Sequence, residues 1–439
     1  MTHSLSISDG VNTFSLSDGS SCVLMRYSPQ GVSLKEFRNG KITVTESIEI
    51  WLQGANTAAV QAAKSDLQRL LYQASERTQR GQGLRVYLNW QPMNEASTFR
   101  SEIVDAALMP VDTILQALGN AVIPARLVIE RKAWREGPET ELALTNGNGT
   151  NVTGGLAMAF GSGNYLQVGA ASVTGDIPAP VRLQLQNTSG ASLALRNLYF
   201  GTSWDNVASF THHYEGETTT YGSSSAQATA SGGAARSVTL PATWNVIGRW
   251  TISAANVVRA SGRAFRVMLR TITNGASDYW FRLQLVAGAN NAVIWSGPPV
   301  AWGRSELVDL GAAPIPPGAY SSAAGAVTLQ LLGYSAGGAG ATLLDFLQTI
   351  GADSFATAIM SNTPLDTSDY VTLDWIEDRG YMTDAGAQYD VIGGRVGGVM
   401  VYPGREQRIY TLADLYDTDF PQGSQLTARV YYRPRRLAV

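Results

Sequence analysis

At 439 residues the chain is long enough for two or three domains, each burying its own core. Only 15% of residues are charged and Gly numbers 45, a β-type profile of many turns and small neutral surfaces that also suits faces covered by other subunits. The net charge of −3 argues against sequence-specific nucleic-acid binding, the lone Cys22 excludes an intramolecular disulfide framework, and no stretch approaches the apolar run of a membrane helix.

Cys22 itself reads as a small buried hydrophobe. Met1 to Asp9 has no basic segment followed by an apolar core, so synthesis in the cytoplasm is expected.

Residues 1–145 read as an α+β unit. Ile42, Val44, Ile48, Ile50 and Leu52 fall on every second position, with Glu46 as the exception, and predict a strand with one buried face. After Asn56 or Thr57 as a cap, Val60, Ala63, Leu67, Leu70, Leu71 and Ala74 recur at helical spacing with polar residues opposite, so a helix lies on this sheet. Gly81 and Gly83 stop it, and Arg85–Trp90 begins another strand. Ala125–Trp134 is a further strand, broken at Arg135-Glu136-Gly137-Pro138. The polar, glycine-bearing stretch Thr145–Asn151 marks a domain boundary.

Residues 152–375 are a succession of short strands separated by Gly, Ser, Asn and Pro. The clearest are Val181–Gln186, Leu193–Phe200, Phe265–Ile272, Tyr279–Val286 and Val327–Leu332, a pattern that predicts a β-sandwich of jelly-roll type. Within it, Tyr214–Arg236 is nearly all Thr, Ser, Gly, Ala and Gln and is expected to be a long exposed loop. Residues 376–439, with strands at Val391–Tyr402 and Leu426–Arg433, are too short for a large core and are expected to return to the first domain. The expected fold is thus mainly β: an α+β sandwich domain with one flanking helix, carrying an inserted β-sandwich. In the last strand Leu426, Ala428, Val430 and Tyr432 form an apolar face, and with Arg433 they are the candidate assembly residues. The basic end of Arg429, Arg433, Arg435 and Arg436 reads as solvated charge or as pairing with carboxylates.

Chemistry-bearing groups are sparse. His3, His212 and His213 are the only histidines, so a His/Cys metal centre has little raw material, and no Gly-x-Ser-x-Gly elbow supports a triad. His212-His213 reads as a loop flanked by Phe210 and Tyr214. Acidic residues cluster at Asp374, Glu377, Asp378, Asp384 and Asp390, and again at Asp414, Asp417 and Asp419. Paired carboxylates are the minimum for glycoside hydrolysis, but solvated turns account for these, and the second run lacks the glycine and terminal glutamate of a calcium loop. Gly337-Gly338-Ala339-Gly340 has no following Gly-Lys-Ser/Thr and is a turn. No catalytic, cofactor or metal residue is assigned. The remaining candidates are aromatic: Trp244, Trp250, Tyr279, Trp280, Trp295 and Trp302 are candidate sugar-stacking residues, with core packing as the competing explanation.

The order strand, amphipathic helix, strand pair ending in Val128-Ile129-Glu130-Arg131-Lys132-Ala133-Trp134-Arg135-Glu136-Gly137-Pro138-Glu139, with the closing Leu426–Arg435, resembles the distal-tail and tail-tube proteins of long-tailed phages. That resemblance implies a structural virion protein that assembles with itself into rings or a tube and meets other tail proteins. The added central domain faces outward in such an arrangement. The insertion is larger than a plain tube subunit requires, which keeps a carbohydrate- or host-surface-binding module as the alternative and a glycoside hydrolase as the third reading.

Overall fold

The computed structural model describes residues 4–81, 83–93, 95–110, 121–146, 156–157, 165–188, 190–193, 195–202, 213–227, 230–272, 278–287, 292–302, 307–316, 326–360, 364–384, 387–390, 392–395, 398–415 and 426–437. The fold is mainly β, built from antiparallel sheets. It divides into two compact units. The first comprises Met1–Thr140, Thr174–Ala179 and Arg433–Val439, and the second Glu141–Val173 and Pro180–Tyr432.

In the first unit, sheet I has the order Thr13–Ser15, Ser4–Ser8, Tyr87–Gln91, Phe99–Pro110, Val122–Lys132, Thr43–Gln53, Cys22–Tyr27. Its axis is the full antiparallel pairing of Thr43–Gln53 with Val122–Lys132. Val44, Ile48, Ile50 and Leu52 point to one side, as their period of two requires. The helix Thr57–Arg80 covers that side. Asn56 caps it by accepting from the Ala59 N–H, and Gly81, at φ 69, ends it in the left-handed conformation that glycine adopts without Cβ strain. Val60, Ala63, Leu67, Leu70, Leu71 and Ala74 are its buried residues and share a core with Ile48, Ile50, Leu52, Leu127 and Ile129. Cys22 belongs to this core, and burial pushes its thiol up to about 12.

The described residues of the second unit form four sheets. Sheet II has the order Leu144–Asn146, Tyr165–Val168, Gln407–Leu415, Leu195–Thr202, Ala356–Ile359, Ile392–Arg395; sheet III has Leu156–Ala157, Leu426–Tyr432, Ala179–Asn187, Tyr370–Asp374, Arg379–Asp384, Ala387–Asp390. Between the sheet II strands Leu195–Thr202 and Ala356–Ile359 the chain builds a separate sandwich. Its sheet IV runs Ser223–Ala226, Ala234–Leu240, Gly340–Gly351, Ala264–Thr271, Leu307–Pro314, with His213–Glu215 also on Gly340–Gly351. Its sheet V runs Asn245–Ile252, Val327–Ser335, Tyr279–Ala287, Val293–Ser296, with Val300–Ala301 also on Tyr279–Ala287.

Sheet IV is buried on both faces. Val267, Leu269 and Leu347 meet Phe281, Leu283 and Leu331 of sheet V, while Met268, Phe346 and Ile350 meet Tyr199, Tyr410 and Leu412 of sheet II. This double burial explains the unbroken burial of residues 344–351 in the strand Gly340–Gly351, where a half-buried strand would alternate.

Three expectations are corrected. The central region is not one sandwich over 152–375, because sheets II and III draw strands from both its flanks and from residues 376–432. Leu426–Tyr432 does not complete the N-terminal sheet: it pairs with Ala179–Asn187, with Val181 opposite Tyr432, Leu183 opposite Val430 and Leu185 opposite Ala428. Alternation dictates that such a strand covers a core without saying which core. Only residues 433–439 lie in the first unit, where Arg435 pairs with Glu136 and Arg436 with Arg135. Finally, Tyr214–Arg236 is not one long loop. Ser223–Ala226 pairs with Ala234–Ser237, since exposed hydroxyl side chains leave the backbone free to form a ladder.

Candidate functional site

The acidic residues serve the fold. Asp374 is buried and its Oδ1 accepts from the N–H groups of Ile376 and Glu377 at 2.9 and 3.0 Å, capping a turn whose Asp378 has φ 61. Burial raises its carboxyl, and the Glu377 charge adds to the effect. Asp414 is fully buried. Asp417 and Asp419, and the side chains of Asp384 and Asp390, lie outside the described residues. Among the described residues, no group of three His, Cys, Asp or Glu is placed to hold a metal ion, and no helix is long and apolar enough to cross a membrane.

His213 lies on a strand, while His212 falls outside the described residues. Its Nδ1 is 3.2 Å from Gln348 Oε1 and its Nε2 is 3.0 Å from Glu215 Oε1; Ser231 Oγ donates to the same Glu215 oxygen at 2.7 Å. The Ser231 N–H in turn donates to Asp345 Oδ1, whose Oδ2 accepts from Arg270 Nη1 at 2.6 Å. Asp345 is an extra residue in its strand, since Arg270 faces Phe346 and Thr271 faces Leu344. That bulge aims its carboxylate at Arg270. Burial pushes Asp345 up to about 6 despite the guanidinium. This network pins Glu215 and Ser231 to sheet IV and was not legible in sequence, because its members are far apart along the chain.

The six aromatic candidates part company. Trp250, Tyr279 and Trp302 are 4%, 7% and 5% exposed in the core between sheets IV and V, where their faces are closed to a sugar. Trp250 Nε1 donates to Glu215 O at 2.8 Å, and Trp302 Nε1 to Thr271 Oγ1 at 3.0 Å. Trp295 packs against the same core from a half-buried position. Trp244 and Trp280 are half-buried and belong to the outer side of sheet V. There Trp280 is the register partner of Tyr334, and the Trp244 and Tyr334 rings lie 5.5 Å apart. The Arg282 guanidinium sits 4.6 Å above the Trp244 ring. One row further, Arg249 Nε donates to Gln330 Oε1 at 2.8 Å and Gln330 Nε2 to Gln284 Oε1 at 2.9 Å. Tyr334, Arg282, Arg249, Gln330 and Gln284 escaped the sequence reading, although polar and aromatic residues alternating with apolar ones in Tyr279–Ala287 were the available signal.

The assembly candidates Leu426, Ala428, Val430 and Tyr432 are buried within the chain and present no surface to another subunit. Arg433 lies in the first unit, with Nη1 donating to Gly137 O at 3.3 Å and Nη2 4.0 Å from Glu139. A group of exposed apolar side chains lies on sheet I, on the face opposite its helix. Met25, Trp51 and Met109 are 47%, 44% and 51% exposed. With Glu49, Pro124 and Arg126 they line a groove of about 550 Å³. A bulge between Leu24 and Arg26 inserts Met25 into its strand.

No family model and no curated protein matches the chain. Among solved structures it is similar to the SPP1 Dit protein, described as a paradigm of the hub adsorption apparatus in Gram-positive-infecting phages, at 7% identity, TM-score 0.29 and 99% coverage of both chains. It is also similar to a chain of the phage P2 baseplate in its activated conformation with Ca, at 8% identity, TM-score 0.32 and 100% coverage of both. A chain of the Sr form of that baseplate gives 8% identity, TM-score 0.30 and 98% coverage of both. These three solved structures are of a phage hub protein and of a phage baseplate, at 7–8% identity.

Proposed function

We propose that this chain is a non-catalytic structural component of a phage tail or baseplate, incorporated in the virion, that associates with copies of itself and with other tail proteins through its first unit. The observation that carries the reading is the strip of Met25, Trp51 and Met109 on sheet I. Apolar side chains of this size, grouped at a groove on the face the helix does not cover, are the mark of a surface that meets another protein. The low charge of the chain agrees with extensive covered surface. Mass photometry and electron microscopy of the purified protein test it. Rings or stacked particles that revert to monomers in Trp51→Asp support the reading, and a strictly monomeric wild type at high concentration overturns it.

The second reading is recognition of a host-surface saccharide by the inserted sandwich. Its support is the partly exposed pair Trp244 and Trp280 on the outer side of sheet V.

A further inference from the structure

The charge of sheet V is one-sided. Its five strands, Asn245–Ile252, Tyr279–Ala287, Val293–Ser296, Val300–Ala301 and Val327–Ser335, contain no Asp or Glu, and their charged residues are Arg249 and Arg282 alone. The buried or half-buried arginines Arg131, Arg266 and Arg270, on other sheets, each face a carboxylate: Glu46, Asp309 and Asp345. Among the described residues, neither Arg249 nor Arg282 is within ion-pair distance of a carboxylate. Arg282 Nε is buried and makes no hydrogen bond. The Arg282 guanidinium lies over the Trp244 ring with no carboxylate partner among the described residues, and a donor removed from water without a partner costs free energy until a ligand supplies an acceptor.

Beside these charges are the other two elements of saccharide recognition. Trp280 and Tyr334 are cross-strand partners, with Trp244 against Tyr334 and beneath Arg282, and a half-buried indole such as Trp280 is the kind of surface on which the C–H face of a pyranose stacks. Gln284, Gln330 and Arg249 form a hydrogen-bonded row two residues away; Gln330 is buried and Gln284 Nε2 also donates to Ser296 Oγ at 3.4 Å, so the exposed Arg249 guanidinium is the donor this row offers to a ligand.

We propose that the outer face of sheet V binds an anionic glycan, a saccharide or polyol chain bearing carboxylate or phosphate groups, with Arg282 and Arg249 on the anion, Trp280 under the sugar and Trp244 holding the Arg282 guanidinium in place. This rests on the second reading above and narrows it to a charge class. The same charge count disfavours a nucleic acid: two cations do not track a phosphate at every nucleotide.

The test uses the full chain, with tryptophan fluorescence and calorimetry at low and high salt, against four probes: a polyuronate oligosaccharide, a polyglycerol phosphate, neutral dextran and oligo-dT. Saturable binding of the polyuronate or the polyglycerol phosphate is expected, weakened by salt, with dextran bound at least about tenfold more weakly; the two anionic arms tell carboxylate from phosphate. Arg282→Gln is expected to lower affinity for the anionic probe by roughly tenfold and Arg282→Lys by less, at unchanged melting temperature. Trp244→Ala is expected to lower it as well. Equal affinity for dextran, or no loss in Arg282→Gln, overturns the anionic assignment while leaving saccharide recognition standing. Silence with all three glycans removes both, and tighter binding of oligo-dT transfers the face to nucleic acid and overturns the proposal.

Discussion

Glu46 Oε1 and Arg131 Nη2 lie 2.5 Å apart in sheet I, both side chains fully buried. Glu46 is the residue that interrupts the apolar alternation of its strand, and it stays on the buried face. Its carboxylate also accepts from Arg135 Nη2 at 3.1 Å, from Tyr27 Oη at 2.9 Å and from the Gln30 N–H at 2.7 Å. Arg131 reaches Gln30 O and Lys132 O. The break in pattern is therefore a polar hub that ties three strands and the segment around Gln30 into one register.

Removing one member of such a hub leaves buried charge without compensation. Glu46→Ala is expected to destabilise the first unit by about 3–5 kcal/mol. Urea unfolding monitored by near-ultraviolet circular dichroism measures it; a loss near that of a surface substitution would show the hub to be dispensable.

The acid response follows from the same residue. Burial alone raises the Glu46 carboxyl, but the hydrogen bond and charge of Arg131, followed by the Arg135 charge, outweigh it and hold the group below 4.5. A depressed folded-state pKa contributes stability that is present above 4.5 and is lost as pH falls through the lowered value. Asp345, raised from 3.8 to about 6, has the opposite sign: its contribution is full below 3.8 and lost as pH rises through 6. Melting curves between pH 3 and 7 are expected to show Glu46→Gln removing part of the acid loss and Asp345→Asn removing part of the decline toward pH 6.

Gly175 tests the seating of the C-terminal tail in the first unit. It has φ +113, and a Cβ there would stand 2.7 Å from Arg435 O, whereas Gly19, at φ +72, has open space. Gly175→Ala is expected to cost about 1–3 kcal/mol and Gly19→Ala less, by thermal denaturation. Equal costs would mean that backbone conformation alone, not the approach of Arg435, decides the penalty.

Two truncations separate the roles of the C-terminal residues. Deleting 426–439 removes a strand flanked on both sides in sheet III and uncovers Leu183 and Leu185, so aggregation on expression is expected. Deleting 433–439 removes the Arg435 hydrogen bonds to Glu136 at 2.9 and 3.1 Å and the Val32 N–H to Leu437 O bond. That protein is expected to stay soluble with a lower melting transition of the first unit. Identical behaviour of the two would contradict the division of this segment between units.

Local periodicity was sufficient for the mainly β class, for the helix Thr57–Arg80 with its six buried residues, and for the strands at Tyr279–Ala287 and Val327–Ser335, because a buried face imposes its period on whatever chain forms it. It could not say which sheet a strand joins. Leu426–Tyr432 has the same alternation whichever core it covers, and its partner is settled by the packing of Val181, Leu183 and Leu185. Nor could sequence separate Trp250 and Trp302 from Trp244 and Trp280. All are tryptophans in β-rich segments, and only the pairing of sheets IV and V decides which rings close the core and which remain on the outer side beside Arg282. Glu46 stood out in sequence as an exception, but its meaning needed Arg131 and Arg135, which tertiary structure brings to it from more than 80 residues away.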